Sequence, residues 1–344
     1  MKALKQRGPQ IGRKTDVGRV RTANEDSMGD IPVEDGHVLI VADGMGGYRG
    51  GAIASSLVVE AIEEYFHDTK LSDPQKALRE SIYTANERIY LRGKQDEDLS
   101  RMGSTCVLAL VKGNQLHLAH VGDSRIYFMR KGGKLQRLTR DHTVVQHFVD
   151  VGLLSEEEAE GHPDSHILSR ALGPRAHVEP EVSDDPVVLK EGDRVLLCSD
   201  GLTKMLTEQN ISTMLAMDTP LQSIAEKMVD VANHNGGEDN VTVLAYEYHK
   251  GEGDDDSEAA VETKLNVKDD VDEDADADTL DPTGPSISAE LPGPPEAAEE
   301  ESSKSEAPQA DESQDESEPE AETPAEEAST ESNEVPTSTE EEPS

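Results

Sequence analysis

The sequence predicts a layered α+β domain of about 240 residues followed by a long acidic tail. Short aliphatic runs of strand length are joined by glycine-containing turns, and other segments repeat apolar residues at helical spacing. The composition then changes abruptly near Lys250.

The expected strands are Val38 to Ala42, Thr105 to Val111, Gln115 to Val121, Arg125 to Met129, Arg194 to Cys198 and Val241 to Tyr246. Turns as short as Lys112-Gly113-Asn114 and Lys131-Gly132-Gly133 favour antiparallel pairing, because parallel neighbours need a long crossover. Gln115 to Val121 places Leu116 and Leu118 on one face, whereas the unbroken Val195-Leu196-Leu197-Cys198 run suits a strand covered on both faces. Ala54, Leu57, Val58, Ala61, Ile62 and Tyr65 form one helical stripe, and Leu221, Ile224, Ala225, Met228 and Ala232 form another. A third helix is expected to start at Asp73-Pro74, where Asp caps and Pro suits the first turn, and to run towards Arg92. Ser155-Glu156-Glu157-Glu158 has the pattern of a capping box.

From Gly251 to Ser344 there are 34 acidic residues against three lysines, with no aromatic side chain. That segment carries most of the net charge of −41 and has too little apolar surface to offset the entropy of ordering, so disorder is expected there. A solubilising extension is the default reading, with competition against acidic substrates or attraction of basic partners as the alternative. The charge argues against nucleic-acid binding. Cys106 and Cys198 each lie inside an apolar run and read as buried free thiols, as in a reducing compartment. No run approaches the roughly 18 apolar residues of a membrane span, and no apolar stretch follows the basic N-terminus, so a cytoplasmic protein is expected.

Five acidic blocks punctuate the domain: Asn24-Glu25-Asp26, Asp43-Gly44, Gly122-Asp123-Ser124-Arg125, Ser199-Asp200-Gly201 and Glu238-Asp239-Asn240. Most border an expected strand, while Glu25 and Asp26 read as part of a polar loop. Carboxylates at buried strand ends are costly unless a cation meets them, and oxygen-only donors suit Mg²⁺ or Mn²⁺. The glycines after Asp43 let the backbone turn and bring the Gly44 carbonyl close to such an ion. Two ions would activate a water and polarise a phosphoryl oxygen, and Arg21 would add a planar phosphate-binding cation. Other phosphate motifs fail: Gly12 to Thr15 lacks the Walker spacing, and Arg49 stands at the third glycine of a dinucleotide fingerprint. His117 and His120 face opposite ways on their strand and cannot share a metal.

These blocks resemble, in content and order, the bacterial form of the PP2C (PPM) metal-dependent Ser/Thr protein phosphatases. The matching motifs include Thr15-Asp16-Val17-Gly18, Val41 to Gly47, Met102-Gly103-Ser104-Thr105, Ala119 to Arg125, Leu138-Thr139-Arg140-Asp141-His142, Ser169 to Gly173, Cys198 to Leu202 and Asp239 to Thr242. The resemblance implies a four-layer α-β-β-α sandwich, with two antiparallel sheets flanked by helices and metals in a cleft at one end. It implies a domain over 12–248 with a flap at about 143–178, between an N-terminal extension, 1–11, and the tail, 249–344. By motif position, Asp43 would bridge two Mn²⁺ or Mg²⁺ ions, Asp200 and Asp239 would complete one, and Glu25 with the Gly44 carbonyl would serve the other. Asp123 would hold a weaker third ion with Asp200, Asp26 would orient the attacking water, and Arg21 would bind the substrate phosphate. Met45 stands where eukaryotic members carry a proton-donating His, which leaves water to protonate the leaving oxygen.

The implied activity is hydrolysis of phosphoserine and phosphothreonine in proteins, opposing a Ser/Thr protein kinase, by a monomer acting away from membranes and nucleic acid. The alternative is a catalytically idle module of the same fold that binds phosphoproteins or other partners.

Overall fold

The computed structural model describes residues 10–250, apart from Asp35, Tyr48, Lys70 and Glu160. The expected disorder of the tail therefore falls outside the described residues, as does most of the N-terminal extension. In chain order, the first elements are β1 (Gln10–Asp16), β2 (Asp26–Val33), β3 (Gly36–Met45), α1 (Gly50–Asp68) and α2 (Pro74–Gln95). Next come β4 (Gly103–Ser104), β5 (Cys106–Lys112), β6 (Gln115–Val121), β7 (Arg125–Met129) and β8 (Leu135–Arg137). The short α3 (Val144–Asp150) and α4 (Glu156–Ala159) precede β9 (Glu181–Val182), β10 (Val187–Val188) and β11 (Arg194–Cys198). The described chain closes with α5 (Asp200–Thr203), α6 (Glu208–Leu215), α7 (Leu221–His234) and β12 (Val241–Glu247).

The strands form two antiparallel sheets, one ordered β1-β12-β11-β7-β8 and the other β10-β6-β5-β3-β2. Period-2 alternation sorts their side chains between layers. In β3, Leu39 and Val41 enter the core between the sheets, while Val38, Ile40 and Ala42 meet the core shared with α1 and α2. In β11, Val195 and Leu197 face the inter-sheet core and Leu196 and Cys198 the core with α6 and α7, so the unbroken apolar run is covered on both faces. Leu116 and Leu118 share the inter-sheet face, as expected. The result is the four-layer α-β-β-α sandwich.

Helix signals were legible in detail. The Asp73 carboxylate accepts a hydrogen bond from the Lys76 amide at 3.0 Å with Pro74 in the first turn, so α2 begins where predicted. Ser155 and Glu158 exchange capping-box bonds at 2.9 and 3.2 Å, though α4 spans only four residues. Cys106 and Cys198 are buried free thiols, and burial raises both to about 12. Among the described residues, no helix is long and apolar enough to cross a membrane.

One expectation is corrected. Glu25 and Asp26 do not both lie in a polar loop: Asp26 opens β2, and both residues are buried. The stretch Ser27-Met28-Gly29-Asp30 lacks a strand-like apolar pattern, and β2 forms by pairing along β3.

Candidate active site

The register of the two sheets gathers the acidic blocks at one end of the sandwich. Asp26 and Asp43 stand directly opposite each other on β2 and β3. Like charges in such a pair are destabilising unless a cation lies between them. From the other sheet, Asp200 follows β11 and Asp239 precedes β12, while Asp123 lies in the turn between β6 and β7. Arg21, Glu25, Asp43, Gly44, Asp123, Asp200 and Asp239 all line one cleft of about 710 Å³. Asp26 lies behind them, its Oδ2 accepting from Ser199 Oγ at 2.8 Å and Thr242 Oγ1 at 2.7 Å.

Backbone and buried hydroxyls hold this arrangement. The Asp43 amide donates to Thr105 Oγ1 at 2.9 Å, and the Thr105 hydroxyl meets Ser124 Oγ at 2.8 Å. The Gly44 amide donates to the Glu25 carbonyl at 3.1 Å. A Cβ at Gly44 would lie 2.0 Å from the Gly51 carbonyl oxygen, and one at Gly201 would lie 2.0 Å from that of Asn240, so both positions need glycine for close backbone approach. Asn240 staples the loop before β2: its Nδ2 donates to the Val17 and Ala23 carbonyls at 2.9 Å each, and its Oδ1 accepts from the Glu25 amide at 2.7 Å.

The carboxylates are electrostatically unsettled. Burial, and then the neighbouring Asp26, Asp200, Asp123 and Asp239, raises Asp43 well above the ordinary carboxylate range. Burial raises Asp26 to about 7 despite the two hydroxyl donors, with Asp200 and Asp239 adding to the shift. Asp123 is also pushed up to about 7, by burial and then by Asp200 and Asp141. Glu25 is raised by burial, with Arg21 opposing the shift. Glu25 Oε1, Asp26 Oδ1 and Asp200 Oδ1 are buried without a hydrogen-bond partner. Orphaned carboxylate oxygens converging on one cleft fit a hard divalent cation with oxygen ligands.

Two cations of the chain already engage the cluster. Arg21 meets Asp239 through Nε and Nη2 at 3.1 Å each, and Lys204 Nζ lies 2.6 Å from Asp200 Oδ2 and 3.1 Å from Asp239 Oδ2. Burial works against the Lys204 charge, but the two aspartates more than offset it and hold the ammonium protonated above its ordinary range. Sequence reasoning missed Lys204, although its place four residues after Asp200 at a helix start was a usable signal. It also gave no role to Asn240, Thr105, Ser199 or Thr242, which stand within the quoted motifs.

Arg125 and Asp141, from two other motifs, pair with each other at 2.7 to 3.2 Å beneath the Asp123 turn. His117 and His120 share no site, but His120 stacks on His142 at 4.6 Å between ring centroids, and Glu181 completes a His-His-Glu group. His142 Nδ1 accepts from the Gly122 amide at 3.2 Å, and its Nε2 lies 3.3 Å from Glu181 Oε2 and 3.2 Å from Arg170 Nη1. This trio braces the Asp123 turn against Ser169, whose amide donates to the His142 carbonyl at 2.8 Å.

A family model described as Protein phosphatase 2C matches residues 18–243. Serine/threonine phosphatase stp of Listeria monocytogenes is 38% identical over 239 residues, covering 68% of this chain and 94% of that protein. Protein phosphatase PhpP of Streptococcus pneumoniae is 38% identical over 239 residues, covering 68% and 95%. The solved serine/threonine phosphatase of S. agalactiae superposes with a TM-score of 0.66 at 36% identity, over 70% of this chain and 100% of that one. The catalytic domain of the phosphatase PstP, solved in complex with two manganese ions, gives a TM-score of 0.61 at 35% identity over 70% and 97%. With the sandwich, the carboxylate cleft and these similarities agreeing, the chain belongs to the protein phosphatase 2C family.

Proposed function

We propose that this chain is a manganese- or magnesium-dependent protein serine/threonine phosphatase that hydrolyses phosphoserine and phosphothreonine monoesters without a phosphoenzyme. The observation that carries this reading is Asp43, faced across the β2–β3 pair by Asp26 behind it and joined in one cleft by Asp200 and Asp239 from the other sheet and by Arg21. Asp43 would lie between two ions, Asp200 and Asp239 would complete one, and Glu25 with the Gly44 carbonyl would serve the other. When bound, the two ions supply a nucleophile at neutral pH and neutralise charge on the phosphoryl oxygens.

The chain's own groups do the rest. Asp26 is held through Oδ2 by Ser199 and Thr242, which leaves Oδ1 free to orient a water and take its proton. Arg21 is half exposed in the cleft and presents a planar guanidinium suited to phosphate oxygens. Arg170 and Arg175 line the same cleft from the 143–178 segment, the proposed flap, and add positive charge on the substrate side. Met45 has no proton to give, so solvent protonates the leaving serine or threonine oxygen.

The idle-module reading has no supporting observation. We further propose that the enzyme opposes a Ser/Thr protein kinase in the cytoplasm, acts as a monomer and binds no nucleic acid. The decisive assay is phosphate release from phosphothreonine peptides with Mn²⁺ and then with chelator. Turnover abolished by chelation supports the reading. Bound Mn²⁺ with no release at any metal concentration overturns it.

A further inference from the structure

Lys204 is poised to do more than balance charge. It follows α5, and its own amide donates to the Asp200 carbonyl at 2.8 Å, so the helical turn sets it four residues beyond Asp200 and directs its side chain back along the same face. The two oxygens of Asp200 then divide: Oδ2 is taken by the ammonium at 2.6 Å, while Oδ1 is buried and unpartnered. An aspartate that bridges an inner and an outer divalent ion through its two oxygens has neither left for an ammonium. Asp123 and Lys204 line the same cleft.

Resting on the two-ion reading above, we propose that Lys204 is the built-in cation of the outer carboxylates Asp200 and Asp123, and that it excludes a third divalent ion from this chain. The reason is electrostatic and local. A tethered ammonium needs no uptake from solution, and a divalent ion beside it would meet like charge while finding one Asp200 oxygen already engaged. Asp239, also in reach of Lys204 at 3.1 Å, can turn to an inner ion without stranding the ammonium, which keeps Asp200 at 2.6 Å.

The test is calorimetric titration of the full chain, freed of metal, with Mn²⁺. Wild type should bind two ions per chain, and Asp123→Asn should leave both stoichiometry and affinity unchanged within about twofold. Lys204→Ala should admit a third ion, which Asp123→Asn added to Lys204→Ala removes again. Lys204→Met, which keeps the aliphatic stem, should behave as Lys204→Ala, and thermal melts establish that each variant folds. Loss of an ion from wild type on Asp123→Asn, or two ions in Lys204→Ala and Lys204→Met alike, overturns the role of Lys204. Wild type that takes up no Mn²⁺ overturns the two-ion reading itself.

Discussion

Asp26 offers one oxygen to two hydroxyls and leaves the other bare, and that asymmetry makes it the most informative side chain of the site. The hydroxyls run in one direction: Asn24 Nδ2 donates to Thr15 Oγ1 at 2.8 Å, which meets Thr242 Oγ1 at 2.7 Å, which donates to Asp26. Thr242→Val is close in volume but breaks the chain, and loss of such a supporting bond costs about 10–100-fold in activity or metal affinity. Because the Thr242 bond lowers the Asp26 pKa, the variant's acidic limb of activity should move to higher pH. A pH profile with an unmoved limb would contradict that role. Asp43→Asn should reduce phosphopeptide turnover to background while circular dichroism shows an intact fold. Stability carries a matching signature. Asp26 rises from 3.8 to about 7 in the folded chain, so between those values the metal-free folded state binds more protons than the unfolded one, and stability falls as pH rises through that window. Divalent ions favour the ionised form, so the Tm increase given by Mn²⁺ over chelator should grow from about pH 5 to about pH 8. A constant increase would show that these carboxylates do not set it.

At the scale of elements, the site depends on the ends of β2, β3, β11 and β12, the β6–β7 turn and the loop before β2. The pairing of β2 with β3 puts Asp26 against Asp43, and a slip of one residue would turn Asp26 to the opposite face. The loop before β2 is anchored through Asn240, whose side chain is buried and makes three bonds to main-chain groups. Asn240→Ala strands those groups, at a cost of about 1–3 kcal/mol for an unsatisfied buried partner. Thermal melts should show that loss, and Mn²⁺ titration should show weakened binding through displaced Glu25. Unaltered stability would mean that the loop is held elsewhere. β3, β5, β6, β7, β11 and β12 were legible because each combines aliphatic residues with flanking turns. β1 and β2 were not, because Gln10–Asp16 and Asp26–Val33 are polar and obtain their order from long-range pairing with β12 and β3.

For the whole molecule, the sandwich brings residues more than 200 positions apart into one cleft, as when Asp26 accepts from Thr242. The charge of the chain is largely separate from that cleft: most of it lies beyond Gly251, whereas only a handful of buried and half-buried carboxylates form the site. Residues 1–250 should therefore turn over phosphopeptides with Mn²⁺ and fail with chelator. If the acidic segment has no part in substrate selection, the salt dependence of that fragment will match the full chain, and a steeper or shallower dependence would assign it one. By itself the sequence determined the fold class, the family and which acidic blocks to follow. Strand-length aliphatic runs and acidic blocks in a fixed order are local features, readable without knowing what touches what. Only the tertiary structure decided how those carboxylates are shared out. Register opposes Asp26 to Asp43, buried hydroxyls leave Asp26 one free oxygen, and a helical turn carries Lys204 onto Asp200. Each depends on distance across the sandwich, and a linear pattern does not encode that distance.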